Sequence, residues 1–488
     1  MFSRLSFLVC GLALISTGST RADTRFSTFR PLSALQSAAL SETASYLLLA
    51  QAAQAAAATP TPAAVDLAPG PSAAGMIWVD ATNGFWNGTR GRQDRPFTNL
   101  GRALAAAHDG DVIFLRPGVY RREKWDYQLA RSVSIVGSGM YNTTLLVTNV
   151  NLTAGQFYTA LGSHLPTMTN AGTYLEVGNL TIDCNGANNR LSAGAKISGA
   201  YLVAESVLIE KVRVVGAVQE TAEAFAVAAN AKRSIIRDCR VENTGKAYLT
   251  GIMGSGGHWG RVQSLVIEGN LVDGMGAFPS VGLGLAHAQN VHVRNNTVTN
   301  VTHGIMCDTG GLTNAIISGN IFHADPATRT TAGFYLAYFG SKDISFEGNL
   351  VSGFSHGVLI TPQSAGQSNS NQRHLRTRIQ DNTFLDCPTN IWTMNLANSR
   401  ITGNRSNGGE TSFARCQNLI FADNTLESGV SMKGITNAFY STPQGAVFDT
   451  QPMGFNKFPS RSPANTSRPW FWLPVQVDGT NAVIPLYR

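Results

Sequence analysis

Between residues 267 and 424 one short frame recurs: apolar, any, any, Asn, any, apolar, with Ser406 in the last place after Asn404. It stands at Ile267-Glu-Gly-Asn270, Val293-Arg-Asn-Asn296, Ile317-Ser-Gly-Asn320, Phe346-Glu-Gly-Asn349, Ile379-Gln-Asp-Asn382, Ile401-Thr-Gly-Asn404 and Phe421-Ala-Asp-Asn424. Upstream, Leu180, Val212 and Cys239 occupy the Asn place. Successive asparagines lie 26, 24, 29, 33, 22 and 20 residues apart. Between frames run short apolar–polar alternations, the period of a strand with one buried face. Asn290 to Asn295, Thr297 to Asn300 and His303 to Asp308 read as three strands of one coil. The third strand has counterparts at 251–255, 282–286, 333–337, 357–361 and 390–394.

Such coils predict a solenoid, a single-stranded parallel β-helix, each coil rising about 4.8 Å above the last. A turn Asn in every coil can hydrogen-bond to its neighbours above and below. Leucine-rich repeats would need a helix per unit, and a Ca2+ nonapeptide roll would need a strict period. Alternation turns Ile252, Leu283, Ile305, Phe334, Val358 and Ile391 inward and Met253, Gly284, Met306, Tyr335, Leu359 and Trp392 outward.

Outside this array the texture changes. Residues 1–22 read as a secretory leader: Arg4, an apolar run from Leu5 to Ile15, and the small-residue site Thr20-Arg21-Ala22. That run is too short to span a bilayer and no later segment qualifies, so the expected location is secreted or at the cell surface. Residues 23–75 read as an Ala-rich helix and a Pro/Ala linker, 76–432 as the solenoid, and 433–488 as a tail ending in a hairpin around Asp478-Gly479.

Composition sharpens this. Only 14% of residues are charged while 49 are Gly, which suits short strands and tight turns. The five cysteines after the leader are widely spaced, so neither a disulfide framework nor a zinc site is expected. The formal net charge of +7 fits an acidic partner such as a uronate-bearing polysaccharide, or serves solubility. Nucleic acid is not an expected partner, since no recognition motif occurs and the charge is not gathered in one stripe along the sequence.

The order MIWVDATNG, PFTNLGRALAAAH (Pro96 to His108) and DGDVIFLRPGVY (Asp109 to Tyr120) resembles the N-terminal cap of the pectin-lyase-like superfamily. The resemblance covers about Met76 to Met432. It implies a right-handed coil, a helix plugging its open end, and a polysaccharide cleft along one face. It does not reach the catalytic signatures of pectate lyases, polygalacturonases or alginate epimerases.

Candidate chemistry therefore rests on placement. Asp308, Tyr335, His287 and His258 gather around the outward stripe, where an Asp beside His can move a proton and an aromatic face can stack on a sugar. Trp392 and the cations Arg373, Arg376 and Arg378, in a stretch read as a loop from Pro362 to Arg378, are candidates for holding substrate. The alternative is that these aromatics only cover the flank and Asp308 caps a turn. His303 and His356 are expected to bond backbone. Glu268 and Glu347, three coils or about 14 Å apart, are too distant for paired-carboxylate hydrolysis. No metal site is expected, and Ca2+ is left open without a motif. The first functional reading is a secreted lyase or glycoside hydrolase acting on an anionic polysaccharide; the terminal hairpin, like those of tail fibres, leaves a monomer and a homotrimer open, and with them a spike-like, non-catalytic glycan-binding adhesin as the second.

Overall fold

A computed structural model of the chain describes residues 75–84, 91–122, 125, 131–162, 173–186, 188–192, 195–216, 222–227, 231–242, 249–255, 262–274, 280–307, 311–324, 331–337, 340–361, 373–426, 430–442, 445–449, 456–458, 471–477 and 480–486. The leader and the Ala/Pro-rich segment lie outside these residues, as do Asp308 and His258.

The chain winds as a right-handed parallel β-helix. A 25-stranded sheet collects the strands on either side of the Asn corner, and a twelve-stranded sheet forms the long face. In the coil around Asn296 the strands are Gln289–Arg294, Thr297–Thr299 and His303–Cys307. Register is continuous: Ile267 pairs with Val293, Val293 with Ile317, Ile317 with Phe346, and Phe346 with Ile379. All five are fully buried, and burial of each such side chain is worth about 1.5–3 kcal/mol.

The corner asparagines form one ladder. Each Nδ2 donates to the next coil's Oδ1, from Asn270 to Asn296 at 2.9 Å through to Asn404 and Asn424 at 2.9 Å. The same Oδ1 accepts the backbone N–H of the rung before, as from Asn296 N to Asn320 Oδ1 at 2.9 Å. The residue ahead of each rung has positive φ, for example Gly269 at 64°, Asn295 at 55°, Gly319 at 62° and Asp381 at 54°. This left-handed corner explains the Gly, Asn or Asp at that place. Lys211, at 51°, is the exception.

Both ends are finished differently from the middle. The helix Leu100–Ala106 is capped by Asn99, whose side chain accepts from Arg102 N, and it buries Leu100, Ala103 and Leu104. It is shorter than the Pro96-to-His108 expectation. At the other end the parallel ladder continues to Thr436–Thr442, past the expected limit at residue 432, because Gln417–Ala422 still offers it a pairing edge. Antiparallel strands Gly445–Asp449 and Asn456–Phe458 then cover both sheet edges. Phe471–Val477 and Thr480–Leu486 form the expected hairpin.

Candidate functional site

The long-face strands place the expected columns in register. Ile252, Leu283, Ile305, Phe334, Val358 and Ile391 stack inward and are fully buried. Met253, Gly284, Met306, Tyr335, Leu359 and Trp392 form the outward column, which continues to Ser412 and Ser431. Tyr335 and Trp392 are half-buried and two coil steps, or about 10 Å, apart. Two aromatic faces on one flat strip can seat a sugar chain.

One residue beside this strip exceeds its expected role. His303 pairs with Ala332, the small residue three positions before Tyr335. Its ring lies 5.4 Å from the Tyr335 ring, tilted by 30°. His303 is buried, and its Nδ1 has no hydrogen-bond partner among the described residues. The expectation of a backbone bond fails here, because the ring turns against Tyr335. It holds for His356, whose Nδ1 lies 3.2 Å from Thr331 O. Burial pushes His303 down to about 4, so the imidazole is neutral at neutral pH. An unsatisfied buried nitrogen costs roughly 1–3 kcal/mol, so a neutral ring left with a free lone pair or N–H is a candidate proton-transfer group.

His287 sits at the corner where the long face ends, with φ of 48°, and its carbonyl accepts from Val262 N at 3.1 Å. Asp308, the next residue after the strand His303–Cys307, and His258 lie outside the described residues. Their places in the site stay as the sequence proposes them.

The three arginines do not join this face. His374–Leu375 and Arg378–Gln380 are strands of the 25-stranded sheet, paired with Lys342–Glu347 on one side and Leu396–Thr402 on the other. The stretch read as a loop thus returns to the ladder by residue 374. His374 hides this in the sequence: it is buried, its Nδ1 accepts from Ser341 N at 3.2 Å, and burial pushes it down to about 4. Arg376 is tied to Asp343 by two bonds at 2.5 and 2.6 Å, and Arg373 donates to Gln417. Stacking also gathers charge that the linear order disperses, because Arg378 pairs in register with Arg400.

Glu268 and Glu347 stand three steps apart in one column, as expected. Glu268 is held by Arg294 at 2.7 Å, and Glu347 accepts from Ser345 Oγ at 2.7 Å. Among the described residues no group of three or more His, Cys, Asp or Glu could hold a metal, and no helix is long and apolar enough to cross a membrane.

Stacked coils and an Asn corner ladder define a right-handed parallel β-helix protein, with an aromatic outward strip on its long face. Residues 148–372 match the family model described as right handed beta helix region. No curated protein sequence matches the chain. Among solved structures it is similar to the mannuronan C-5 epimerase AlgE6 A-module of Azotobacter vinelandii, at 17% identity over 70% of this chain and 94% of that one, TM-score 0.39. It is also similar to an exopolygalacturonase of Thermotoga maritima, at 11% identity over 73% and 89%, TM-score 0.45. A third is the surface protein and adhesin PfbA of Streptococcus pneumoniae, at 13% identity over 70% and 93%, TM-score 0.34. At these values the likeness is one of fold.

Proposed function

We propose that the protein is a secreted carbohydrate-active β-helix that acts on an anionic polysaccharide laid along the twelve-stranded face. The supporting observation is the outward column that aligns Tyr335 with Trp392, with the neutral His303 ring, whose Nδ1 has no hydrogen-bond partner among the described residues, set against Tyr335. A sugar stacked over this column would meet the Tyr335 phenol, with the buried, neutral His303 imidazole beside that ring as a proton acceptor. Such a pair suits β-elimination from a uronate better than hydrolysis. The column from Met253 to Ser431 carries no carboxylate among the described residues, whereas glycoside hydrolysis uses two, about 5–9 Å apart. Asp308 and His287 would complete the proton path, with His258 further along.

The same lack of a described carboxylate in that column favours, as second reading, a glycan-binding surface protein without turnover. Incubation with pectate, alginate and glycosaminoglycans separates the two. Growth of unsaturated-uronate absorbance supports elimination, and new reducing ends without it support hydrolysis. Binding with no product on any panel supports the adhesin. For the enzyme, Tyr335→Phe and His303→Gln are each expected to lower turnover about 100-fold or more, and Asp308→Asn to abolish it. Trp392→Ala should raise KM more than it lowers kcat. Unchanged rates in the Tyr335 and His303 variants would remove the column from the chemistry.

A further inference from the structure

The outward side of the first flank treats charge in two ways. In the upstream coils opposite charges meet in register: Glu210 pairs with Arg237 and contacts it at 2.6 Å, and Glu268 pairs with Arg294 and contacts it at 2.7 Å. Downstream, on the same sheet, Arg378 stands over Arg400 one coil apart. Both are exposed, and neither has an ion pair among the described residues. Lys342 is exposed at the start of the adjoining strand, and Arg373 is exposed just before His374–Leu375. The nearby carboxylate of Asp343 is taken by Arg376, which holds it below the usual carboxylate range. Glu347, at the far end of the same strand, accepts from Ser345 Oγ, so Lys342, Arg373, Arg376, Arg378 and Arg400 outnumber the two carboxylates of this stretch, and like charges directly opposite in a sheet repel.

We infer that the outer face of Lys342–Glu347, His374–Gln380 and Leu396–Thr402 is a docking surface for a carboxylate-bearing polysaccharide, with Arg378 and Arg400 as its paired anion clamp. The surface lies on a different sheet from the Tyr335 column and needs no reaction there. It shares with the catalytic reading only the class of ligand. Guanidinium forks one coil step apart can each take a carboxylate through two parallel bonds. In the coils next to this pair the register column holds Ser345 and Ile420, with no aromatic residue on which a base could stack before Phe439, two coils beyond Arg400. A flat sheet also presents nothing to enter a duplex groove. Both features favour an acidic glycan over nucleic acid.

Binding of the full chain to polygalacturonate and alginate, across a salt series, tests this. R378S/R400S is expected to weaken binding at least tenfold and to flatten its salt dependence, with a melting midpoint equal to or above wild type. R400E, which restores the upstream opposite-sign arrangement, should stay folded and also lose binding. Binding within twofold of wild type in both variants overturns the inference. So does equal affinity for a neutral glycan, full competition by single-stranded DNA, or failure of the wild-type chain to bind any acidic glycan. Tyr335→Phe tells the two sites apart: it is expected to stop product formation while leaving this binding intact.

Discussion

The coils before residue 242 and those after residue 265 build the same corner by different means. Upstream the corner is filled by Leu180, Val212 and Cys239, all buried and packed by shape. Downstream it holds seven asparagines, each satisfied by its neighbours in the stack. Cys239 is the junction: its N–H donates to Asn270 Oδ1 at 2.9 Å, while its thiol reaches Arg237 O at 3.2 Å. An apolar rung depends on local packing, whereas an amide rung depends on its two neighbours. The upstream part can therefore tolerate a missing rung that the downstream part cannot.

Breaking the ladder in the middle gives the largest expected effect. Asn320→Ala leaves the backbone N–H of Asn296 without its acceptor, takes one of three acceptors from the Asn296 amide, removes the side-chain donor to Asn349 Oδ1, and frees the carbonyl of Val293. A loss of about 3 kcal/mol or more is expected from urea unfolding. A loss below about 1 kcal/mol would mean that the ladder merely accompanies the packing. Cys239→Asn should extend the ladder by one rung and change stability by less than about 1 kcal/mol. Val212→Asn, with no amide above it, should cost about 2 kcal/mol.

Acid challenges the downstream coils next. Burial holds His303 and His374 neutral down to about pH 4, whereas a histidine in the unfolded chain titrates near 6.5. The unfolded chain therefore takes up protons that the folded one refuses between those values. Stability is full above about pH 6.5 and falls as the pH drops toward 4, by up to about 3 kcal/mol per histidine. Unfolding curves at pH 7 and pH 4.5 measure the drop, and His303→Phe should reduce it, with His374 and the likewise lowered His292 and His356 supplying the rest. An undiminished drop in that variant would assign the proton uptake to other groups.

The smallest effect belongs to the upstream corner. Lys211 holds the left-handed conformation that Gly269 and Gly319 hold at matching places. Lys211→Gly should stabilise by no more than about 1 kcal/mol, strain relief being partly offset by chain entropy. A loss of stability would show that the lysine stem packs usefully on the sheet.

The architecture was open to reading because the frame repeats and strand alternation has a fixed period of two. Tyr335 and Trp392 could be placed in one column from spacing alone, and the coordinates put them there. His303 was not readable as a site residue, since nothing in its Gly-rich neighbourhood tells that Tyr335 of the next coil turns its ring toward it. The arginines were misplaced for a related reason. Pro362 to Arg378 is mostly polar, and it takes the strand pairings of His374–Leu375 and Arg378–Gln380, with the buried bond from Ser341 N to His374, to show that the chain has rejoined the sheet.

Sequence alone determined the coil, its corner asparagines and the inward and outward sets, because each follows from periodicity within one strand. Tertiary structure decided which columns share a flank, that Arg378 meets Arg400, and that His303 is buried against Tyr335 with no hydrogen-bond partner for its Nδ1 among the described residues. Those facts depend on where each coil closes onto the next. Irregular turns of 20 to 33 residues set that closure, and no local pattern encodes it.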